Sequence, residues 1–238
     1  MIPDKAFYLN PGNLNGNSFF LDQQESHHLT EVFRLKLKDQ ICLLDGLGTG
    51  YIGEIKTIEN GIVSGGIIKV IKGLGESSFN INIAPAIIKR QRFEMLLEKS
   101  TELGIKEIHP VITERCIKKT INLERCERII ISSAKQCQRS FFPKIHEPIK
   151  LESWLKHSKD QFLVGSINAT CKLSQLNIEK DKGINILIGP EGDFNKNEMG
   201  ILSKQGAQFY TLCNRRLRSD TAAQTTISIV SELLYHMS

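Results

Sequence analysis

The sequence predicts an α/β protein in which a small β domain precedes a mostly parallel sheet covered by helices. Three observations predict it. Short β-type runs with glycine turns fill the first seventy-odd of 238 residues. From Phe79 onward, apolar strand-length runs alternate with stretches of helical period. The charge balance also changes between the two parts, from 7 Lys+Arg against 8 Asp+Glu in residues 1–74 to 24 against 18 in residues 75–238.

The elements follow in order. Ala6–Leu9 and Ser18–Leu21 flank a Pro/Gly/Asn turn, Pro11–Asn17, and a short helix is expected over Ser26–Phe33. Strands Ile41–Leu44, Gly50–Ile58 and Ile62–Ile71 are separated by the turn signals Asp45-Gly46 and Glu59-Asn60-Gly61. This set reads as a small barrel over residues 1–74, with a linker across Lys72–Ser78. Residues 75–238 form the second domain. Phe79–Ile83 is a strand, and Phe93, Leu96, Leu97 and Leu103 mark a helix from Lys89 to Leu103 that Gly104 ends. A strand at Ile108–Ile112, a helix at Asn122–Gln138 and a short helix at Glu152–His157 come next. Strands at Gln161–Val164 and Ile184–Ile188 precede a helix at Asn195–Gln205. There Asn195 with Glu198 makes a capping box and Phe194 with Met199 a hydrophobic staple. Phe209–Leu212 is a strand, and Ser219–His236 is a long final helix.

Composition narrows the function. The chain contains no apolar run of membrane-spanning length, and Met1–Asn10 has neither the basic region nor the apolar core of a signal peptide, so a cytoplasmic protein with no membrane partner is expected. Six cysteines stand singly with no C-x-x-C pair, which predicts reduced thiols and no cysteine metal site. The positive surplus lies between Lys89 and Lys144, where 13 Lys+Arg face 7 Asp+Glu. A localised basic window is the footprint of a phosphate-backbone partner, although a solvated lysine-rich face has the same composition.

Two segments carry chemistry. Ile188-Gly189-Pro190-Glu191-Gly192-Asp193-Phe194 follows an apolar strand and precedes a capped helix. It therefore lies at a strand's carboxyl end, where open α/β sheets bind ligands. Gly189 and Gly192 are read as supplying backbone angles closed to other residues and close approach to a ligand. Leu212-Cys213-Asn214-Arg215-Arg216-Leu217-Arg218-Ser219-Asp220-Thr221-Ala222 also joins a strand to a helix. Three arginines sit poorly at a helix start on electrostatic grounds, which favours a role in holding a phosphate or a nucleobase carbonyl. Gly46-Leu47-Gly48-Thr49-Gly50 is glycine-rich but has no helix after it and reads as a hairpin turn. His27 and His28 are neighbours on a helix and face different ways, one packed and one solvated.

Together the two loops, Gly-Pro-Glu-Gly and Leu-x-x-Arg-x-Leu-Arg-x-Asp-Thr-Ala, resemble those of the RsmE family of ribosomal RNA methyltransferases. Lys99-Ser100-Thr101-Glu102-Leu103-Gly104, Pro110, Thr113-Glu114-Arg115-Cys116, and Gln136, Arg139 and Pro143 match further parts of that family's pattern. Near the start, His28, Val32, Arg34 and Asp45-Gly46 resemble its PUA-like domain.

The resemblance implies an N-terminal PUA-like barrel and a C-terminal SPOUT domain with a trefoil knot. It also implies a homodimer, S-adenosylmethionine as cofactor, and N3 of a uridine in 16S ribosomal RNA, free or in the assembled 30S subunit, as the target. The cofactor would lie against Gly165, Ile188, Gly189, Pro190, Gly192, Leu212, Asn214 and Leu217. Arg218 is expected to stabilise charge on the uracil carbonyls, with Glu191 or Asp220 accepting the proton. Arg34, Lys89, Arg92, Arg115, Arg139 and Arg215 are the expected RNA contacts. Four positions depart from the family: Asp193 and Cys213 stand where it has Gly, Arg216 replaces an aliphatic residue, and Asp220 replaces Glu. They keep open a non-catalytic RNA-binding protein with a worn pocket; a knotted ribose 2′-O-methyltransferase is the other alternative.

Overall fold

The computed structural model describes residues 1–156 and 160–236. They divide into two compact units, Met1–Ser77 with Ile131–Phe142, and Ser78–Ile130 with Pro143–Ser238. The division thus falls three residues later than the boundary expected at Leu74/Gly75, and a second segment joins the first unit. The cause is local bonding. The Ser140 amide and hydroxyl both donate to the Leu74 carbonyl at 2.8 Å. A Cβ on Gly75 would lie 2.7 Å from the Gln138 carbonyl oxygen, so only glycine lets these two strands of chain meet.

The first unit holds β1 (Ala6–Tyr8), β2 (Leu14–Asn15), β3 (Ser18–Phe20), α1 (Gln23–His27), β4 (Gln40–Leu44), β5 (Thr49–Glu59) and β6 (Ile62–Lys72). They form one curled sheet in the order β1-β4-β5-β6-β3-β2. Its pairings are antiparallel except that of β1 with β4. Phe7, Leu9, Phe19, Leu21, Leu29, Ile41 and Ile55 fill its interior. The helix starts three residues before the expected Ser26, because the Asp22 carboxylate accepts from the Glu25 amide at 2.8 Å and caps it there. It then runs on through a wider turn over His28–Val32.

The second unit contains β7 (Ile81–Pro85), α2 (Arg90–Glu102), β8 (Glu107–Ile108), β9 (Val111–Ile112) and α3 (Leu123–Gln136), whose last residues belong to the first unit. After these come β10 (Lys144–Ile145), β11 (Ile149–Lys150), α4 (Leu151–Leu155), β12 (Gln161–Gly165), β13 (Ile184–Ile188), α5 (Lys196–Lys204), β14 (Gln208–Tyr210) and α6 (Ser219–His236). Six strands make a sheet in the order β10-β8-β7-β13-β12-β14, every neighbour parallel. The strand expected over Ile108–Ile112 is two: Pro110 has no N–H to give a ladder, and β9 leaves to pair with β11. Of the helix expected at Glu152–His157, Leu151–Leu155 is helical, while His157 lies outside the described residues.

Both faces of this sheet are covered, which is why β7, β12 and β13 are almost continuously apolar. Trp154 and Leu155 of α4 and Leu202 of α5 pack with Phe162, Val164 and Leu187. Helix α6 packs on α2, β7 and β13, burying Ile227 and Val230 alongside Leu96 and Leu97. The expected capping box is complete: Asn195 accepts from the Glu198 amide and Glu198 from the Asn195 amide, each at 2.8 Å. Among the described residues no helix is long and apolar enough to cross a membrane.

Candidate active site

Strand β12 pairs with both β13 and β14, and all three run the same way. Their carboxyl ends, at Gly165, Ile188 and Tyr210, therefore open side by side, and the three loops that follow them meet. The loop after β13 turns back sharply, the Asp193 amide donating to the Pro190 carbonyl at 2.9 Å. Its left-handed residue is Asp193, with φ +62°, and neither Gly189 nor Gly192 has a positive φ. The sequence reading placed that backbone freedom on the wrong residues. Aspartate tolerates the conformation because its Oδ1 accepts from the following Phe194 amide, at 2.8 Å.

The two glycines answer to crowding. A Cβ on Gly189 would lie 3.2 Å from Asp193 Oδ1 and 3.3 Å from the Phe194 ring. On Gly192 it would lie 3.0 Å from Cδ of Arg115, whose guanidinium donates to the Gly192 carbonyl. Asp193→Ala, which keeps the strain and loses the acceptor, is expected to cost about 0.5–1.5 kcal/mol, whereas Asp193→Gly, which relieves the strain as it loses the acceptor, should be close to neutral. Thermal melts of the two variants check this.

The loop after β14 is bound to the first by two side chains. Ser219 Oγ donates to the Gly189 carbonyl at 2.8 Å, and Arg216 Nη2 donates to the Glu191 carbonyl at 3.2 Å. Cys213 turns its thiol to the Arg215 carbonyl of its own loop, at 3.4 Å. Under β14, Tyr210 is fully buried and bonds Thr226 of α6 through its hydroxyl at 2.7 Å. Burial pushes its phenol well above the ordinary tyrosine range, so it stays protonated. Its ring also explains Gly165, where a Cβ would meet the Tyr210 hydroxyl at 3.2 Å.

Between the three loops lies a cavity of about 350 Å³, within the size range of small-ligand sites. Of the residues expected to hold a cofactor, Gly165, Ile188, Gly189, Pro190, Leu212 and Leu217 line it. Gly192 and Asn214 do not. Arg218 and Glu191 line it as well, and so do Arg92 and Arg215. Arg92 approaches Glu191 to 3.9 Å. Asp220 is instead turned inward, buried in the first turn of α6 with Oδ1 unpartnered among the described residues. Ser166, Ile167 and Thr211, which carry no motif, also line the cavity, and so does Ser219. Ser219 lies inside the arginine-rich segment that the sequence marks.

The expected RNA contacts separate into kinds. Lys89 is exposed beside α2, Arg34 is exposed in the first unit with φ +54°, and Arg115 is engaged with Gly192. Arg139 is a correction. It is 2% exposed and its guanidinium grips the Glu76 carboxylate at 3.0 and 3.1 Å, so it holds its own unit together and offers nothing to a phosphate. Elsewhere in the basic window, Arg90 and Arg125 converge on Glu94, whose carboxyl they hold down at about 2.

Comparison with known proteins also separates two domains, the methyltransferase match running through the Ile131–Phe142 segment of the first unit. Residues 75–231 match the family model of an RNA methyltransferase domain, and residues 21–67 match that of an RNA methyltransferase PUA domain. Ribosomal RNA small subunit methyltransferase E of Mesomycoplasma hyopneumoniae is 33% identical over 213 residues, covering 87% of this chain and 91% of that protein. The chain belongs to the ribosomal RNA small subunit methyltransferase E family. The Rickettsia conorii member is 29% identical over 88% of this chain and 87% of its own length. The crystal structure of the Neisseria gonorrhoeae methyltransferase E, bound to S-adenosyl methionine, superposes with a TM-score of 0.89 at 31% identity, covering 96% of this chain and 97% of that one. The fold is thus a PUA-like unit with a SPOUT-type α/β unit, as the resemblance implies.

Two of the departures expected from the resemblance have a structural reading. Asp193 holds a left-handed backbone, a conformation that glycine adopts without strain. Arg216 keeps its charge exposed at the cavity mouth and uses it on the Glu191 carbonyl.

Proposed function

We propose that this chain transfers a methyl group from S-adenosylmethionine to N3 of a uridine in small-subunit ribosomal RNA. The observation that supports it most is the cavity at three adjacent parallel strand ends, walled by glycine main chain and bordered by Arg218 and Glu191. The residues fit the cofactor. Gly165 and Gly189 are cradles that a Cβ would fill, and the loop main chain around them offers amides and carbonyls to a nucleoside. S-adenosylmethionine supplies an electrophilic methyl on a sulfonium sulfur.

The chain's own residues supply position and charge. Arg218 borders the cavity, and among the described residues its guanidinium has no hydrogen bond or ion pair. It is therefore free to donate to a uracil carbonyl as negative charge spreads there on loss of the N3 proton. Glu191 takes the proton, since it faces the cavity while Asp220 faces the protein interior. The buried Asp220 instead places negative charge at the start of α6, where the helix dipole favours it. Arg215, exposed at the same mouth, and Lys89 and Arg92 on the α2 side hold RNA phosphates.

The RNA contacts make a graded prediction. Lys89→Ala should lower the slope of log affinity against log salt by about 0.7–0.9 and leave cofactor affinity unchanged, as filter binding across a salt series would show. Transfer of labelled methyl from S-adenosylmethionine to small-subunit ribosomal RNA, given free or as the assembled subunit, tests the reading as a whole. A second copy of the chain is proposed as the partner within a homodimer. It would appear in sedimentation as twice the 26.8 kDa chain mass.

A further inference from the structure

At the other side of the parallel sheet, three side chains form a cluster that the methyl-transfer site does not use. Register dictates it. Glu107 pairs with Lys144 and Ile108 with Ile145 across β8 and β10, so the residues just beyond, His109 and His146, come to lie side by side. Glu107 and His109 are two apart on an extended chain and share one face of it. The His109 amide donates to the Ile83 carbonyl at 2.8 Å and the His146 amide to the Ile108 carbonyl at 3.0 Å, which fixes both backbones.

The side chains converge as the register requires. The imidazoles stack at 4.2 Å between centroids with 13° between planes. Both Nε2 atoms meet one oxygen, Glu107 Oε2, at 3.1 Å from His109 and 2.8 Å from His146. Two ring nitrogens and a carboxylate oxygen within 4.8 Å of one another are a three-ligand set. Tetrahedral zinc with bonds of about 2.0–2.1 Å would need ligand separations of about 3.3 Å, which for the two imidazole–carboxylate pairs is a widening of half an ångström or less; rotation of the more exposed His146 ring would set the third.

We propose that Glu107, His109 and His146 bind a zinc-type divalent cation, with water as fourth ligand, that clamps the edge strand β10 onto β8. The donor types suit such a cation, two imidazoles and one carboxylate with no thiolate. Glu107 is 43% exposed and gives the ion a path from solvent. Strand order puts β8 two places from β13, roughly 10 Å away, so this is a site separate from the cavity.

Cobalt(II) chloride titrated into the full chain, first stripped with chelator, is the test. Expected are one cobalt per chain, the visible absorption of a four-coordinate ion, and a raised melting temperature. His146→Ala and Glu107→Gln should each weaken binding by at least about 100-fold while melting like the wild type without metal. Both side chains are partly exposed, so the variants are expected to fold. Absence of saturable binding, binding that neither variant weakens, or the intense near-ultraviolet band of thiolate ligation would overturn the proposal.

Discussion

Replacing Arg218 with alanine is expected to lower kcat by about 10²–10³-fold while leaving the calorimetric affinity for S-adenosylmethionine within a factor of about 3. The separation follows from position. Arg218 is exposed at the cavity, and its backbone carbonyl begins α6 by accepting from the Ala222 amide at 2.8 Å, a bond that alanine keeps. Arg92 and Arg216 have partners at Glu191, whereas Arg218 is held by no other side chain among the described residues. With Arg215 assigned to RNA phosphates, Arg218 is the arginine proposed to meet charge that develops only during the reaction, and an interaction made only then lowers turnover without weakening ground-state binding. Single-turnover kinetics with labelled cofactor, set beside calorimetry, read both quantities. Equal losses in each would make Arg218 a cofactor ligand, and unchanged turnover would remove it from the mechanism.

Arg139→Ala is expected to act on stability and not on RNA. The guanidinium and the Glu76 carboxylate are 2% and 9% exposed, and Glu76 also accepts from the Phe141 amide at 3.0 Å. Removing the cation strands a buried carboxylate, which costs about 3–5 kcal/mol and lowers Tm by roughly 10 °C or more. Replacing both partners with methionine should restore most of the loss, because a pair of well-packed apolar residues needs no compensating charge. RNA affinity measured well below the melting transition should keep its salt slope. A normal melting curve with weakened RNA binding would reverse the assignment and return Arg139 to the surface.

Much of this fold was legible because its signals are local. The run Ile184–Ile188, apolar apart from Asn185 and set between turn residues, reads as a strand, and it is one. Asn195 and Glu198 announced their helix by a reciprocal cap that the structure completes. Errors arose where a distant contact decides. Nothing near Arg139 in sequence shows Glu76, 63 residues away, so an arginine in a basic window read as a phosphate ligand. The helix expected from Ser26 starts at Gln23, because Asp22 caps it. A run of β-type residues across Pro110 concealed a break between two sheets.

The site divided in the same way. Position at a strand's carboxyl end made the loops after β13 and β14 findable, and most of their expected residues line one cavity. The loop after β12 contributes Ser166 and Ile167, which carry no motif and reach the cavity only because β12 lies between β13 and β14. Gly192 was assigned to the cofactor by its motif, yet its close neighbour is the Arg115 side chain, 77 residues away. A glycine in a motif shows that something approaches closely; only the folded chain shows what.

The most direct measurement is nucleoside mass spectrometry of small-subunit ribosomal RNA from a strain lacking the gene, before and after treatment with purified protein and labelled S-adenosylmethionine. The account predicts that 3-methyluridine is missing from the untreated RNA and appears, carrying the label, after treatment. Label found on a ribose hydroxyl, or 3-methyluridine already present without the gene, would contradict it.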